Sequence, residues 1–201
     1  MSESRRLPAR DLALIALFAG LIAALGLPGT LNLFGNAVPV TAQTLGVMLA
    51  GSILGAKRGF LAVLVFAALV AAGLPLLAGG RGGLGVFAGP SVGYFLGWLP
   101  GVWVVGRLTE QVLARGGKYS LPIGLVANVA GGILVVYALG IPLQAWRIGT
   151  SGVVATAVAA LIYLPGDLIK AVVATLVAKG VHTGYPTLGR AGAERSGGTP
   201  Q

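Results

Sequence analysis

Cysteine is absent from this chain, and histidine occurs once, as His182. The first absence excludes disulfides and thiolate metal sites, and the second excludes a histidine metal cluster. Charge is scarce too: 9% of the 201 residues are charged, against 56% apolar. An ordinary soluble domain carries about 25% charged residues, so this chain cannot build a solvated surface. Its mean hydropathy of +0.90 excludes a disordered chain as well. G-x-x-x-x-G-K-S/T is missing, and with it a nucleotide-phosphate loop. G-x-S-x-G is missing, and His182 has no nucleophile near it in sequence, so no hydrolytic machinery is visible and no enzyme is expected.

What the chain does have is long stretches without charge. Leu12 to Ala56 is 45 residues, Gly59 to Gly80 is 22, Gly82 to Gly106 is 25 and Tyr119 to Trp146 is 28. A helix crosses the hydrocarbon core in about 20 residues. The first stretch therefore holds two spans, divided by the turn residues Leu27-Pro28-Gly29. The pattern predicts an all-α integral membrane protein with six transmembrane helices near Asp11–Leu27, Ala42–Gly55, Gly59–Gly73, Ser91–Leu108, Leu121–Ile141 and Gly166–Val181. A β-barrel needs period-two alternation, which runs such as Leu12–Leu25 lack. Residues 1–10 read as a cytoplasmic N-terminal segment, 11–182 as the six-helix membrane domain and 183–201 as a disordered cytoplasmic tail. Arg5-Arg6 before an apolar run resembles an export signal, but no small-residue cleavage site follows, so an uncleaved first span is expected.

The net charge of +9 would suggest nucleic acid on a soluble protein. Its placement argues for topology instead. On this threading 11 of the 14 basic residues fall on one side of the six spans. The opposite side has Arg81 and Arg147, with Lys170 just inside the last span. The positive-inside rule places both termini in the cytoplasm of a multi-pass cell-membrane protein, with no nucleic-acid partner. Gly152–Leu164 is apolar enough to cross, but a crossing there would put the basic tail outside. A short helix at the outer rim, leading into Pro165 in the first turn of the last span, is expected.

Inside such spans, polar side chains are the functional signal. Asp167 and Lys170 are three apart and share a helix face, as a structural ion pair or as a ligand site at the outward mouth. Gly79–Gly93 holds seven glycines in fifteen residues. It reads as a tight loop with exposed backbone N–H groups, in which Gly82, Gly83 and Ser91 are candidate contacts. Its Arg81 faces either an anion or water. Tyr94 is an interface anchor or a pocket wall. Thr41 is a candidate cap for the second span, while Gln43 and Tyr137 need partners inside the bundle. Asn128 reads as packing. In the first span Ala16, Ala19, Gly20 and Ala23 form small-residue repeats that allow close helix approach, within the chain or against another subunit.

Four blocks combine into a resemblance: VPVTAQTLG (Val38–Gly46), LGAKRG (Leu54–Gly59), AGLPLLAGGRGGLGVFAGPSVGYFLG (Ala72–Gly97) and YLPGDLIKA (Tyr163–Ala171). Together they resemble the BioY family, the biotin-binding S components of energy-coupling factor (ECF) transporters, from about Leu12 to Val181. The resemblance implies six membrane helices and one biotin near the outer face. It implies as partners a transmembrane coupling protein and two ABC-type ATPases, with no cofactor of the chain's own. It assigns ligand recognition to Asp167 and Lys170 and docking to Ala16, Ala19, Gly20 and Ala23. Biotin's ureido ring, carboxylate and apolar chain suit these residues. Lys170 or Arg81 would meet the carboxylate, Asp167 the ureido N–H groups, and Gln43 or Tyr94 the ureido oxygen. The loops Leu74–Pro90 and Pro28–Thr41 would act as lids. A binding subunit for another small vitamin, or a self-sufficient secondary carrier of a small organic anion, stands as the alternative.

Overall fold

In the computed structural model, residues 8–29, 41–115, 118–149 and 152–185 are described. Arg5, Arg6, most of the Pro28–Thr41 loop and the tail beyond Tyr185 lie outside them. The described residues form six helices: α1 (Ala9–Ala24), α2 (Gln43–Leu54), α3 (Ala56–Ala71), α4 (Val92–Ala114), α5 (Leu121–Arg147) and α6 (Val153–Gly184). Each expected span is present; the ends of the first five are displaced by up to six residues, while the last begins at Val153 and not at Gly166. The helices alternate in direction, which gives the bundle a mouth end, where α2 and α4 begin, and a tail end, where α1 begins and α6 finishes. α2 sits in the middle and packs on α1, α3, α4 and α6.

By length and hydropathy α5 and α6 each suffice to cross a membrane, and α2 is a shorter apolar helix. The exterior points the same way. Leu64 and Leu69 on α3, Trp103 on α4, Val126 and Leu134 on α5 and Val172 and Leu176 on α6 are all exposed. Soluble monomers do not spread large apolar side chains over so many elements; this surface suits lipid.

Two expectations need correction. Gly152–Leu164 is not a separate rim helix. Val153–Ala160 is α-helical, Leu161–Tyr163 makes one 3-10 turn, and the helix continues from Leu164 without a gap. The cause is Pro165 in the first turn of the final stretch. It has no N–H for the carbonyl four residues back, Leu161, and the backbone narrows there instead of breaking. The second correction concerns α1. Its small residues divide between two faces. Ala16 and Gly20 are exposed, whereas Ala19 is 4% exposed in the core and Ala23 packs partly buried against it. At about 100° per residue, positions 16 and 20 share a face, and 19 and 23 lie on the next one round. α6 also runs to Gly184, past the expected limit at 182.

At the tail end, buried polar groups tie the helices together. Arg58 Nε of α3 is 3.1 Å from Asp11 Oδ1 of α1. Glu110 of α4 accepts the N–H of Ala56 at 2.9 Å, where α3 starts. Gly55 makes the α2–α3 corner at φ +81, and a Cβ there would strike that carboxylate. His182 Nε2 donates to the Ser52 carbonyl at 2.8 Å while its ring stacks on Tyr119 at 4.9 Å. Asn128 accepts from Ser52 Oγ and donates to Thr175 Oγ1, both at 3.1 Å, so it bonds to two other helices inside the bundle.

Small residues do carry close helix contact inside the bundle, but on α4. Gly93, Gly97 and Gly101 recur every fourth residue and face the backbone of α5. A Cβ on Gly101 would lie 2.7 Å from the Gly131 carbonyl oxygen, while one on Gly20 of α1 would meet nothing within 4 Å. Gly101→Val is therefore expected to lower unfolding stability by about 1–3 kcal/mol through overpacking. Gly20→Val is expected to leave it nearly unchanged. Thermal melts of the two variants in detergent check the contrast.

Candidate functional site

At the mouth end, α2, α4, α5 and α6 splay around a cavity of about 80 Å³. Eight sequence-predicted residues line it: Thr41, Gln43, Arg81, Ser91, Tyr94, Tyr137, Asp167 and Lys170. They come from four helices and two connecting segments, so the fold and not local sequence assembles them.

Asp167 is the hub. It lies two residues past Pro165, in the stretch of α6 that follows the 3-10 turn. Lys170 Nζ donates to Oδ1 at 2.8 Å, and Tyr137 OH donates to Oδ2 at 2.7 Å. Asp167 is buried at 7% exposed, so both partners offset a desolvation that would otherwise be large. Each carboxylate oxygen retains a second lone pair toward the cavity.

Tyr137 reaches Asp167 because α5 is irregular. Asn128 and Tyr137 are nine residues apart, and at about 100° each they would point to opposite faces of an ideal α-helix. Ala130–Val135 forms one π turn, which winds more slowly and takes back roughly 100°. Asn128 then meets Thr175, and Tyr137 meets Asp167, on the antiparallel α6. Those two partners are eight residues apart on one face of a regular helix. The π turn absorbs the extra residue.

The walls are aromatic. Tyr94 meets Tyr137 edge to face at 5.8 Å and Tyr163 at 6.4 Å. Phe95 and Trp98 continue the wall along α4. Sequence reasoning missed Tyr163, Phe95, Trp98 and Thr44 as lining residues. The available signal was the 94, 95, 98 spacing, which places three aromatics on neighbouring faces of one helix.

Three assignments change. Gln43 has no proton for a ligand. Its amide nitrogen donates to the carbonyls of Ile22 at 3.2 Å and Leu76 at 3.0 Å, and its oxygen accepts from Ala78 N at 2.9 Å. It clamps the glycine-rich loop to the end of α1. Tyr94 likewise commits its proton, to Gln144 Oε1 at 2.9 Å. Gly82 and Gly83 are not among the cavity-lining residues. Gly83 is at φ +78 and its N–H already donates to Val70 O at 2.8 Å, while a Cβ on Gly82 would strike the Leu74 carbonyl. They shape the loop and do not contact the cavity. Thr41 Oγ1 is 3.4 Å from Gln43 N, a long capping contact.

Arg81 is anchored but not exhausted. Nε donates to the Ala78 carbonyl and Nη1 to Ser91 Oγ, both at 3.2 Å. Among the described residues Nη2 has no partner. A short antiparallel bridge between Leu77 and Arg81 fixes the turn, and a 3-10 turn over Leu84–Ala88 follows it. Arg147 at the end of α5 donates to the Phe87 carbonyl of that turn at 3.0 Å. Phe87 itself packs on Phe95 at 5.7 Å. The loop thus lies folded over the cavity rim.

Comparison with known proteins adds the following. The sequence profile of the BioY family matches residues 1–187. The chain is 48% identical over 181 residues to the biotin transporter BioY of Rhizobium etli, covering 89% of this chain and 96% of that one. It is 47% identical to the biotin transporter BioY of Rhodobacter capsulatus, with the same coverage of both. Its fold is similar to the crystal structure of the S-component for biotin from an ECF-type ABC transporter. The TM-score is 0.82 at 27% identity, over 91% of this chain and 95% of that chain.

The clamp formed by Gln43 is open to a direct check. Gln43→Leu leaves two carbonyls and one N–H without their partner, and is expected to lower stability by about 1–3 kcal/mol. Hydrogen exchange should rise most over residues 74–83, with little change at the tail end.

Proposed function

The chain belongs to the BioY family, and we propose that it is a biotin-binding S component of an ECF-type transporter that holds one biotin in the mouth-end cleft. The observation that carries this reading is the division of chemistry within the cleft. A buried carboxylate with its two donors lies on one side, an anchored cation with a spare N–H group lies in the rim loop, and aromatic walls lie between. Biotin is built to the same plan. Its ureido N–H groups suit the free lone pairs of Asp167. Its carboxylate suits Arg81 Nη2 at the rim. Its apolar ring system and chain suit Tyr94, Tyr137, Tyr163 and Trp98. Lys170 pairs with Asp167 through one proton and retains two further protons for the ligand.

Binding involves no bond-making step, so the chain is a transport subunit and not an enzyme. Energy enters through partners, which we take to be a transmembrane coupling protein and two ABC-type ATPases. The mouth end then faces outward and both termini lie in the cytoplasm, in keeping with the 11 basic residues assigned to one side. The rim loop around Leu84–Ala88 serves as a lid. On α1, Ala16 and Gly20 present the small, exposed face to the coupling protein. Ala19 and Ala23 stay with the core.

Two experiments test this reading. In detergent titrations the purified chain should bind one biotin, and Asp167→Asn and Lys170→Ala should each weaken binding about 10- to 100-fold. Unchanged affinity in both variants would rule out the site. Ala16→Leu combined with Gly20→Leu should leave biotin affinity intact while abolishing ATP-driven uptake with the partner subunits. Persistent uptake would move the docking face elsewhere.

A further inference from the structure

Tyr94 lines the cavity with Tyr137 and Tyr163 set edge-on against it. Two residues of α5 that are not among the lining residues also touch it. Gln144 Oε1 accepts the hydroxyl proton at 2.9 Å, and Gln144 is itself buried. Gly140 lies against the ring. A Cβ built there would stand 2.6 Å from the ring carbons Cγ and Cε1, against an optimum of about 3.5–4.0 Å for two carbons.

Neither helix can back away to make room. A Cβ on Gly93, the neighbour of Tyr94, would stand 2.7 Å from the Leu139 carbonyl oxygen and 3.0 Å from Gly140 Cα, so α4 and α5 meet backbone to backbone at this level. Glycine weakens a helix interior relative to alanine, and Gly140 lies well inside α5. The fit of the Tyr94 ring accounts for the missing methyl. Tyr137, Gly140 and Gln144 follow one another at three and four residues, along one face of α5. The first supports Asp167, the second receives the Tyr94 ring and the third takes its hydroxyl proton.

We propose that Gly140 and Gln144 are positioning residues for the ligand cleft, a socket on α5 that holds the Tyr94 ring in the wall. This rests on the biotin reading and extends it. The hydroxyl of Tyr94 then serves to fix the ring, and the ring meets the ligand as hydrocarbon. A wall side chain held in place before the ligand arrives loses no freedom when it binds, so the socket contributes affinity without touching the ligand.

The test uses the full chain in detergent, titrated with biotin. Gly140→Ala should weaken binding about 10- to 50-fold. In a chain that already carries Tyr94→Ala, which has no ring to displace, the same substitution should change affinity less than twofold. Equal losses in both backgrounds would mean general damage to α5 and would overturn the proposal. Tyr94→Phe and Gln144→Leu should each weaken binding about 3- to 10-fold, and the double variant should bind no more weakly than the poorer of the two. Losses that multiply would mean that the hydroxyl acts on the ligand and not through Gln144, and would overturn the proposal too. So would affinity within twofold of the parent in both Gly140→Ala and Gln144→Leu. If Gly140→Ala does not fold, the Tyr94 and Gln144 variants decide the question. Failure of the parent chain to bind biotin would instead bring down the underlying reading.

Discussion

An ionised carboxylate inside an apolar helix bundle is the constraint from which the mouth end is built. Asp167 is nearly buried, and an unpaired charge there would neutralise or unfold its surroundings. Two side chains prevent that. Lys170 supplies a cation one turn along the same helix, and Tyr137 supplies a hydroxyl from another helix. Only the second reaches across the bundle, and it sets the register of α5 against α6. A regular α5 could not place both Asn128 and Tyr137 on α6, so the π turn at Ala130–Val135 follows from the need to satisfy Asp167 and Thr175 together. Gly131 and Gly132 lie within that turn because its backbone passes against Gly101 and Met48, where a side chain would collide.

Much of this was readable beforehand and some was not, for definite physical reasons. Lipid tolerates few charges, so the gaps between them measured the spans directly. The same gaps held a further signal. Asp11 and Arg58 lie just beyond the two ends of one there-and-back charge-free stretch, so they return to the same level and pair. Composition cannot show how a side chain distributes its protons. Gln43 and Tyr94 both line the cavity, but their donors are committed to Ile22, Leu76 and Gln144, contacts that exist only once the chain is folded. The α1 repeat looked like one surface because residues four apart share a face. Two overlapping repeats, 16 with 20 and 19 with 23, occupy two faces, and only packing against α3 decides which is covered. The proline at 165 signalled a helix start. It could not signal that the preceding turn would stay helical.

The two ends of the bundle differ in how they are held. At the tail end, side chains from α1, α4 and α6 lock the α2–α3 corner through Asp11, Glu110 and His182. Each links residues far apart in sequence. At the mouth end the rim loop is fastened by two hydrogen bonds from Arg81, by the Gln43 clamp and by one hydrogen bond from Arg147. One of these, Arg147 to Phe87, is exposed. Local opening takes the path with the fewest buried contacts, so motion concentrates at the mouth while the tail end stays a rigid base. A protein that must admit and release a ligand without unfolding needs that asymmetry.

The same asymmetry bears on how energy reaches the site. Among the described residues no polar thread runs from the exposed face of α1 to Asp167; the nearest link is Gln43, which joins Ile22 near the end of α1 to the loop at Leu76 and Ala78. A partner that gripped Ala16 and Gly20 and tilted α1 would therefore pull first on the loop that covers the cavity, not on the carboxylate within it. Recognition at Asp167 and opening at the rim are mechanically separate, joined through one amide. Arg81, anchored on Ala78, would move with that loop, so a tilting α1 would release the rim contact first and leave the cluster around Asp167 in place.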